Sequence, residues 1–474
     1  MEKKQLLNFN FDFDVANIVE DSRKVTEGSI FVCIKGIHVD GHNYVDKAIE
    51  NGAKFIFAQR EIESTVPYYV AKDTKTLYAV LNSEFYGRPQ KDLTLIGVTG
   101  TDGKTSVSTV IKDMLKQSEK IAYLGTNGLS YREENEYLGY TTPPADILFK
   151  KLGELVTKGA NTLCMEVSSM ALDQRRCETL DFEVAIFTNL THEHLDVHKT
   201  MEHYFESKAL LFDRVTESGI RIINIDDEYG IELANRYQTN VVTYSIDGQA
   251  DIVASNIELA FHKTIFDVNY KGKTFKIVSP LIAKYNVYNL LSAMATCLHL
   301  GYKIDELQGL VDKIQPVDGR MFVLNNENIT VVVDFAHTPN SLKEIILFAK
   351  EVATNEVTVI FGSAGGRDHE KRPLMGAVAS KYSDNVIITN DDPRFEDPIK
   401  IMSEIADACE NDNYKIIESR KQAILHGVTT AKKGDVILIT GKGNEDFQLI
   451  KGETIYYNDI EEAQKALESL KIKV

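Results

Sequence analysis

Short apolar runs alternate along this chain with polar turns and with stretches whose apolar residues recur at helical spacing. Residues 93–98 form an apolar, β-branched run, and residues 107–115 carry apolar side chains every three or four positions. The first pattern predicts a buried strand and the second an amphipathic helix. Further apolar runs predict strands at 28–36, 54–58, 161–165, 184–188, 220–225, 330–334, 357–362, 385–390 and 435–440. Helical spacing at 341–352 and 398–409 separates the later strands, so we expect an α/β protein.

Between the first predicted strand and its helix lies a glycine-rich turn, residues 100–106. Glycine lets the backbone pass close to a polyphosphate, and the amides at a helix start face an anion. Lys104 would reach the β/γ-phosphates and Thr105 would bind Mg²⁺. Val98 stands where the standard phosphate-loop pattern has its first glycine, and an ordinary strand-to-helix turn is the alternative.

The length of 474 residues suggests about three domains. Gly87–Asp92 is polar and turn-rich, which predicts a linker, and a third unit is expected to start near Asp318. We therefore predict a small N-terminal α/β domain at 1–90, a central P-loop-type ATPase sheet at 91–317 and a C-terminal Rossmann-like α/β domain at 318–474.

Charge and cysteine use limit the classes of partner. The formal net charge of −17 argues against nucleic acid or a membrane surface, and it requires local cations for any anionic substrate. Five scattered cysteines without zinc spacing fit a reducing cytosol. Neither a signal peptide nor an apolar run of about 20 residues, the length of a membrane span, is apparent.

Polar residues follow the central strands where each strand ends. Glu166, Ser168 and Ser169 follow one strand, and Asn189, Thr191, His192, His194 and Asp196 follow the next. Ligands bind outside the carboxyl ends of parallel strands, so chemistry is expected where Thr105, Glu166 and His194 meet. Glu166 either caps a helix at Ser168 or binds Mg²⁺, and the metal is preferred. His192, His194 and His198 do not have zinc-site spacing.

Four strand tips in the third unit are rich in Asp, Arg and Lys. They start at Asp334, Gly362, Asp391 and Gly441. Single charged tips are usually solvated loops, but four in succession predict a binding edge.

The motifs, taken in order, resemble those of the Mur ligases, and most closely those of their tripeptide-synthetase branch. The similar segments are Gly-Val-Thr-Gly-Thr-Asp-Gly-Lys-Thr, Met-Glu-Val-Ser-Ser, Thr-Asn-Leu-Thr-His-Glu-His-Leu-Asp-Val-His, Asp-Phe-Ala-His-Thr-Pro, Lys-Arg-Pro-Leu-Met-Gly and Asp-Asp-Pro-Arg. The resemblance extends from about Asp21 to Glu445. It implies a monomeric cytoplasmic ligase of peptidoglycan synthesis that uses ATP and Mg²⁺. This ligase would add a diamino acid to UDP-N-acetylmuramoyl-L-alanyl-D-glutamate through an acyl phosphate.

The resemblance also implies roles for individual residues. The implied catalytic residues are Lys104, Glu166, His194 and Lys208. Lys208 matches a carbamylated lysine that would bind Mg²⁺ together with Thr105, Glu166 and His194, although from sequence alone it passes as a solvated helix lysine. The implied nucleotide-binding residues are Gly100, Thr101, Asp102, Gly103, Lys104, Thr105, Ser106, Asn286, Asn289, Arg320, Asp334 and His337. The implied UDP-sugar residues are Ser22, Thr141, Thr142, Ser168, Gln174 and Arg176. The implied amino-acid residues are Arg367, Asp391, Asp392, Pro393, Arg394, Gly441 and Glu445.

Three positions depart from the family pattern, and other classes of protein remain as alternatives. Asp102 stands where Asn is common, and Met170 and Asn444 each replace a His. The alternatives are another ligase of the superfamily, such as folylpolyglutamate synthetase, and a non-enzymatic nucleotide-binding regulator. The first domain and the Asp-Asp-Pro-Arg tip argue against the former. The intact catalytic set argues against the latter.

The charges of the third unit favour a zwitterionic acceptor. Arg394 offers a planar fork suited to a distal carboxylate, and Asp392 only accepts hydrogen bonds, which suits a distal ammonium. Arg367 and Glu445 add one charge of each sign. This set favours meso-diaminopimelate or meso-lanthionine, and L-lysine, which lacks the distal carboxylate, is the alternative.

Overall fold

A computed structural model describes residues 5–36, 39–116, 120–315, 319–326 and 328–471, and the side chain of residue 196 is outside the description. The chain divides into two compact units. The first contains Met1–Leu190, Glu202–Tyr244 and Ser292–Tyr302, and the second contains Thr191–Met201, Ser245–Leu291 and Lys303–Val474. The predicted start of the third domain at Asp318 lies outside the described residues. The three predicted domain limits therefore stay a prediction.

The N-terminal part of the first unit is a small parallel sheet. A separate antiparallel pair of strands, β1 (Gln5–Leu6) and β2 (Phe9–Asn10), precedes it. The strands of the parallel sheet are β3 (Ile18–Val19), β4 (Ser29–Val32), β5 (Ala53–Ala58) and β6 (Tyr68–Val70), and the helices are α1 (Val45–Glu50) and α2 (Thr74–Phe85). Strands β3 to β6 lie side by side in parallel. The strand predicted up to residue 36 ends at Val32.

The predicted linker is a packed segment. It contains a 3₁₀ helix, Pro89–Asp92, and its Gln90 is buried. Nε2 of Gln90 donates to Oγ of Ser83 at 2.7 Å and to the carbonyl oxygen of Thr179 at 3.3 Å. A composition-based prediction misses this because polar residues in a turn are usually solvated.

The central elements place three loops at one edge of a sheet. The strands are β7 (Thr94–Thr99), β8 (Ile121–Gly125), β9 (Gly128–Tyr131), β10 (Glu134–Glu136), β11 (Thr162–Glu166), β12 (Phe182–Phe187), β13 (Val215–Asn224) and β14 (Val241–Ser245). The helices are α3 (Lys104–Leu115), α4 (Ala145–Thr157), α5 (Ser169–Asp173), α6 (Leu195–His198), α7 (Met201–Ala209) and α8 (Glu228–Asn235). Buried β7 pairs in parallel with β11 on one side and β12 on the other. The loops after these three strands therefore open together.

The remaining strands are β15 (Ile252–Ala260), β16 (Lys263–Tyr270), β17 (Lys273–Ser279), β18 (Phe322–Asn325), β19 (Thr330–Asp334), β20 (Val357–Phe361), β21 (Asn385–Ile388), β22 (Tyr414–Ile416), β23 (Val436–Thr440), β24 (Phe447–Ile450) and β25 (Glu453–Tyr456). The remaining helices are α9 (Lys284–His299), α10 (Leu307–Val311), α11 (Pro339–Val352), α12 (Lys371–Tyr382), α13 (Pro398–Ala406), α14 (Arg420–Thr430) and α15 (Asp459–Lys471). In the second unit, one sheet has the order β18-β19-β23-β20-β21-β22 and is parallel except for β18. The expected α/β class is confirmed. In the described ranges, the helices are all too short or too polar to span a bilayer.

Candidate active site

The turn after β7 is shaped by two glycines. Gly103 has a φ of 86°, a left-handed conformation that favours glycine. A Cβ on Gly100 would lie 1.8 Å from Oγ1 of Thr188, so a side chain has no room there. The turn is also held from β12, since Oγ1 of Thr188 donates to the carbonyl oxygen of Asp102 at 2.6 Å. The backbone path of the predicted phosphate loop is therefore fixed before any ligand binds.

The start of α3 is suited to an anion. Helix α3 begins at Lys104 directly after Gly103, which has no side chain that caps the first amides. Uncapped amides and the helix dipole attract negative charge. Nζ of Lys104 donates to the carbonyl oxygens of Gly100 at 2.9 Å and Thr101 at 2.8 Å. Thr105 is buried beside it, and Ser106 completes the first turn.

Lys208 lies against the same turn. It is 1% exposed on α7, and its Nζ donates to the carbonyl oxygen of Gly100 at 2.7 Å. Burial lowers the pKa of Lys208 well below its ordinary value, and the nearby Lys104 cation lowers it further while Asp102 opposes the shift. Lys208 is therefore not the solvated helix lysine that its sequence suggests. The direction of this shift favours the uncharged, nucleophilic form of its amine.

Glu166 is the last residue of β11 and is fully buried. Its Oε1 accepts hydrogen bonds from the Tyr123 hydroxyl at 2.6 Å and the Thr126 amide at 3.0 Å, and its Oε2 accepts from Oγ1 of Thr126 at 3.1 Å. Ser168 itself caps α5, because its side chain accepts from the Ala171 amide. The capping alternative for Glu166 is therefore wrong. A carboxylate accepts only, so the oxygens of Glu166 keep lone pairs for a hard cation.

Four of the implied UDP-sugar residues come together beside β11. Oγ1 of Thr142 donates to the carbonyl oxygen of Glu166 at 2.8 Å and accepts from the Ser168 amide at 3.0 Å. Nη1 of Arg176 donates to the carbonyl oxygen of Thr142 at 2.8 Å. Oγ1 of Thr141 lies 3.1 Å from Oγ1 of Thr126, which links this group to the Glu166 partners.

A small cavity opens next to this group. Its lining residues are Glu20, Ile34, Lys75, Tyr78, Ala79, Pro144, Ala145, Gln174 and Arg176. Burial raises the pKa of Glu20, while Arg176 opposes the shift. Sequence reasoning missed Glu20 and Lys75, although a charge directly after the apolar pair of β3 was an available signal for Glu20. The carbonyl oxygen of Ser22, another implied UDP-sugar residue, accepts from Nδ2 of Asn51 at 2.8 Å.

In the second unit, Asp334 organises the tip of β19. Its carboxylate accepts from the amides of Met321 and Ala336, both at 2.8 Å. Arg320 lies 4.4 Å over the Phe335 ring. Burial is the main reason that the pKa of His337 is lowered to about 3. The cations Lys371 and Arg320 and the nearby His194 lower it further. His337 is therefore neutral at pH 7.

The other implied nucleotide residues of this unit, Asn286 and Asn289, lie on α9, and the implied metal ligand His194 lies just before α6. Nδ2 of Asn286 donates to the carbonyl oxygen of Ile282 at 2.7 Å, and Nδ2 of Asn289 donates to Oδ1 of Asn286 at 2.8 Å. His194 has a φ of 59° and precedes α6. Because these residues belong to the second unit, their joint role with Lys104, Glu166 and Lys208 stays a prediction.

A buried lysine organises the implied acceptor residues. Nζ of fully buried Lys442 donates to Oδ1 of Asp392 at 2.9 Å and to Oε2 of Glu445 at 2.8 Å, and Oδ1 of Asp391 lies 3.8 Å away. Burial alone would lower the pKa of Lys442, but the three carboxylates raise it. Oδ1 of Asp392 also accepts from the Leu449 amide. Sequence reasoning missed Lys442, whose signal was its place between Gly441 and Gly443.

One hydrogen-bond donor of the Arg394 side chain lacks a partner in the described part of the chain. Its φ is 54°, and its amide donates to the carbonyl oxygen of Leu449 at 2.9 Å. Its Nε is buried and, among the residues that the structure describes, has no hydrogen-bond partner. A buried donor of this kind is costly unless a ligand pairs with it.

The loop before Arg367 is braced from two sides. A Cβ on Gly365 would lie 2.1 Å from the carbonyl oxygen of Pro393, so the loops after β20 and β21 are in close contact. The amide of Gly366 donates to Glu396, which is also bound by the fully buried Arg372. A Cβ on Gly441 would likewise meet Oδ2 of Asp391 at 2.7 Å. The structure thus brings the implied acceptor residues from the tips of β20, β21 and β23 to one edge of the sheet.

Comparison with known proteins finds matches along the whole chain. Three family models match: "Mur ligase family, catalytic domain" at residues 14–84, "Mur ligase middle domain" at 98–297 and "Mur ligase, glutamate ligase domain" at 319–443. Two similar relatives are named UDP-N-acetylmuramoyl-L-alanyl-D-glutamate–2,6-diaminopimelate ligase. The relative from Bacillus cereus is 40% identical over 462 residues, 96% of this chain and 94% of its own. The relative from Clostridium botulinum is 37% identical over 468 residues, 96% of each chain.

Solved structures give the same picture of the fold. A structure named for the same diaminopimelate ligase superposes with a TM-score of 0.70 at 29% identity and covers 99% of each chain. The MurF ligase of Thermotoga maritima in complex with ADP has a TM-score of 0.65 at 19% identity, covering 97% of this chain and 99% of its own, which shows the fold alone. The chain has the three-domain α/β fold of these structures.

Proposed function

The chain belongs to the Mur ligase family, and we propose that it adds meso-diaminopimelate, or a diamino dicarboxylic acid like it, to UDP-N-acetylmuramoyl-L-alanyl-D-glutamate. In the proposed reaction, the γ-phosphoryl group of ATP passes to a carboxylate of D-glutamate. The amino group of the acceptor then attacks this acyl phosphate and loses a proton, and phosphate leaves as the amide forms. The products are the UDP-linked tripeptide, ADP and phosphate.

The nucleotide side of the proposal rests on the turn after β7. The uncapped start of α3 and Lys104 would hold the ATP phosphates. Thr105, Glu166, His194 and a carbamate on Lys208 would hold Mg²⁺, which fits the buried carboxylate of Glu166 and the lowered pKa of the Lys208 amine. Mg²⁺ would neutralise charge on the phosphoryl oxygens.

The UDP-sugar peptide is assigned to a group of side chains beside β11, the strand that ends at Glu166. The group formed by Thr141, Thr142, Ser168 and Arg176 borders the cavity that Gln174 and Arg176 line. We place the reaction in the cytoplasm, because all five cysteines are thiols and not disulfides, as is usual in a reducing compartment. A monomeric enzyme stays the sequence-based prediction.

The observation that carries the acceptor assignment is the buried Nε of Arg394, which lacks a partner among the described residues. A carboxylate pairs with a guanidinium in a planar, two-bond arrangement. The relatives' printed name, a 2,6-diaminopimelate ligase, agrees with this, since that acceptor has a distal carboxylate. L-lysine would leave Arg394 unpaired at a cost on the order of a few kcal/mol.

A phosphate-release assay with an acceptor panel tests the proposal. Purified protein would be supplied with ATP, Mg²⁺ and the UDP-sugar dipeptide, together with meso-diaminopimelate, meso-lanthionine or L-lysine. Release is expected only when both the dipeptide and a dicarboxylic diamino acid are present. A clear preference for L-lysine would overturn the acceptor assignment. Release that does not depend on the UDP-sugar dipeptide would overturn the reaction.

A further inference from the structure

Three side chains outside the proposed reaction converge on one point of the second unit. Nε2 of His192 lies 3.6 Å from Oε2 of Glu370 and 3.9 Å from Oδ2 of Asp368. One ligand atom of each residue lies within 4.8 Å of the other two. An imidazole nitrogen with two carboxylate oxygens is a donor set that divalent transition ions use.

The carboxylate of Asp368 is oriented in advance. Asp368 is 8% exposed, and its Oδ1 accepts from the Glu370 amide at 2.9 Å. Its Oδ2 and Nε2 of His192 are both buried atoms without a hydrogen-bond partner in the described ranges. Leaving a buried carboxylate oxygen and a buried ring nitrogen unpaired is costly. Both atoms gain a partner if a cation lies between them.

Direct hydrogen bonds from His192 to the two carboxylates account for this arrangement less well. The distances of 3.6 Å and 3.9 Å exceed those of an N–H···O hydrogen bond. Ligands about 2.1 Å from a tetrahedral ion are separated from each other by about 3.4 Å. The observed spacing is close to that value, and small side-chain rotations close the difference.

A neighbouring group shows the contrasting case. His369 also faces two carboxylates, with Nε2 3.6 Å from Glu396 and Nδ1 3.9 Å from Glu404. Those carboxylates are already bound by the guanidinium of Arg372, whose Nη1 lies 2.6 Å from Glu404. Lys371, the first residue of α12, has its Nζ 3.5 Å from Oε1 of Glu193.

We propose that His192, Asp368 and Glu370 bind a divalent transition-metal ion of the Zn²⁺ type, in addition to the Mg²⁺ of the proposed reaction. The ion would join segment Thr191–Met201, which carries His194, to the loop after β20, which carries Arg367. The ion would stabilise the positions of these two segments, and with them those of His194 and Arg367.

The test is a Zn²⁺ titration of the full chain in excess Mg²⁺ and without nucleotide, read with a competing chromophoric chelator. One tight site is expected, and His192→Gln and Glu370→Gln should each weaken it by about tenfold or more. The Glu370 side chain is 75% exposed, so its replacement leaves the fold intact. The matched control is His262→Gln, in the exposed turn between β15 and β16, which should bind like the parent.

A second readout separates this site from the Mg²⁺ site. Zn²⁺ should raise the Tm of the parent and of His262→Gln, but not that of His192→Gln. Glu166→Gln should keep the Zn²⁺ affinity. Equal affinity in His192→Gln and Glu370→Gln, loss of binding in Glu166→Gln, or no binding tighter than about 1 mM would each overturn the proposal.

Discussion

Nζ of Lys208 lies 2.7 Å from the carbonyl oxygen of Gly100, inside the protein and directly behind the phosphate loop. Because burial and Lys104 lower the pKa of this lysine, its amine is available to attack CO₂. The attack forms an N–C bond while one C=O π bond of CO₂ opens, and the nitrogen loses a proton, so a carbamate anion replaces the amine. This places a negative charge where Mg²⁺ is proposed to bind.

Lys208→Ala is therefore expected to be inactive, and acetate or formate should restore part of the activity by replacing the carbamate oxygens near Mg²⁺. Lys208→Arg should be inactive without rescue, because the guanidinium fills the space and stays charged. Lys271→Ala, at an exposed turn, serves as the control. The measurements are phosphate release and the ¹³C resonance of a carbamate in labelled bicarbonate. Full activity of Lys208→Ala together with no carbamate resonance would contradict this role.

Lys104→Ala should lose about 10³-fold or more in kcat while it keeps its fold. The ammonium neutralises charge on the transferring phosphoryl group, which is where most of the catalysis of this reaction lies. In the free protein, the replacement removes hydrogen bonds from Nζ to the loop carbonyl oxygens of Gly100 and Thr101 and disturbs little of the core. Circular dichroism and the Tm check the fold. Near-normal turnover of a folded variant would refute the phosphate-loop assignment.

Asp102→Asn should lower the KM for ATP by about fivefold. The Asp102 carboxylate stands in the phosphate loop, where it would repel the phosphates of ATP. Removing one like charge that is a few Å away and screened by solvent is worth on the order of 1 kcal/mol. Steady-state kinetics at fixed Mg²⁺ measures the change. An unchanged or higher KM would mean that Asp102 is already neutralised by its surroundings or helps to hold the metal.

Arg394→Ala should reduce kcat/KM for meso-diaminopimelate by about 10²-fold and leave that for L-lysine nearly unchanged. In the variant, the distal carboxylate of meso-diaminopimelate loses its guanidinium partner, whereas L-lysine has no distal carboxylate. Arg394→Lys should recover part of the loss, since it keeps the charge without the planar fork. If both acceptors lose activity equally, Arg394 stabilises the loop rather than selecting the acceptor.

Arg420→Ala should lower the free energy of unfolding by about 3–5 kcal/mol, because it leaves Asp459 buried without its cation. Both side chains are fully buried, and Nη2 of Arg420 lies 2.6 Å from Oδ2 of Asp459. Denaturant unfolding measures the loss. Lys47→Ala, which removes the exposed pair with Glu50, should change stability by less than about 1 kcal/mol. Similar effects of the two variants would contradict this difference.

The sequence was a good guide where the chain is locally regular. Apolar runs located the strands around Leu95 and Val332, and the glycine turn before Lys104 located the start of α3, because both depend on near neighbours. It was a poor guide to pairs made by the tertiary fold. The contact of Lys442 with Asp392 joins residues 50 positions apart, and the burial of Lys208 depends on the turn at Gly100.

The cluster around Lys442 also has a consequence for ionic strength. Lys442 and the charged residues of the implied acceptor set together have equal numbers of acidic and basic side chains: Asp391, Asp392, Glu445, Lys442, Arg367 and Arg394. A zwitterionic acceptor with no net charge enters such a group without changing its balance, so there is little long-range attraction for salt to screen. A monocation such as L-lysine would change that balance. Added salt is therefore expected to affect the binding of the two acceptors differently. The equal numbers of acidic and basic side chains suit an acceptor that has no net charge.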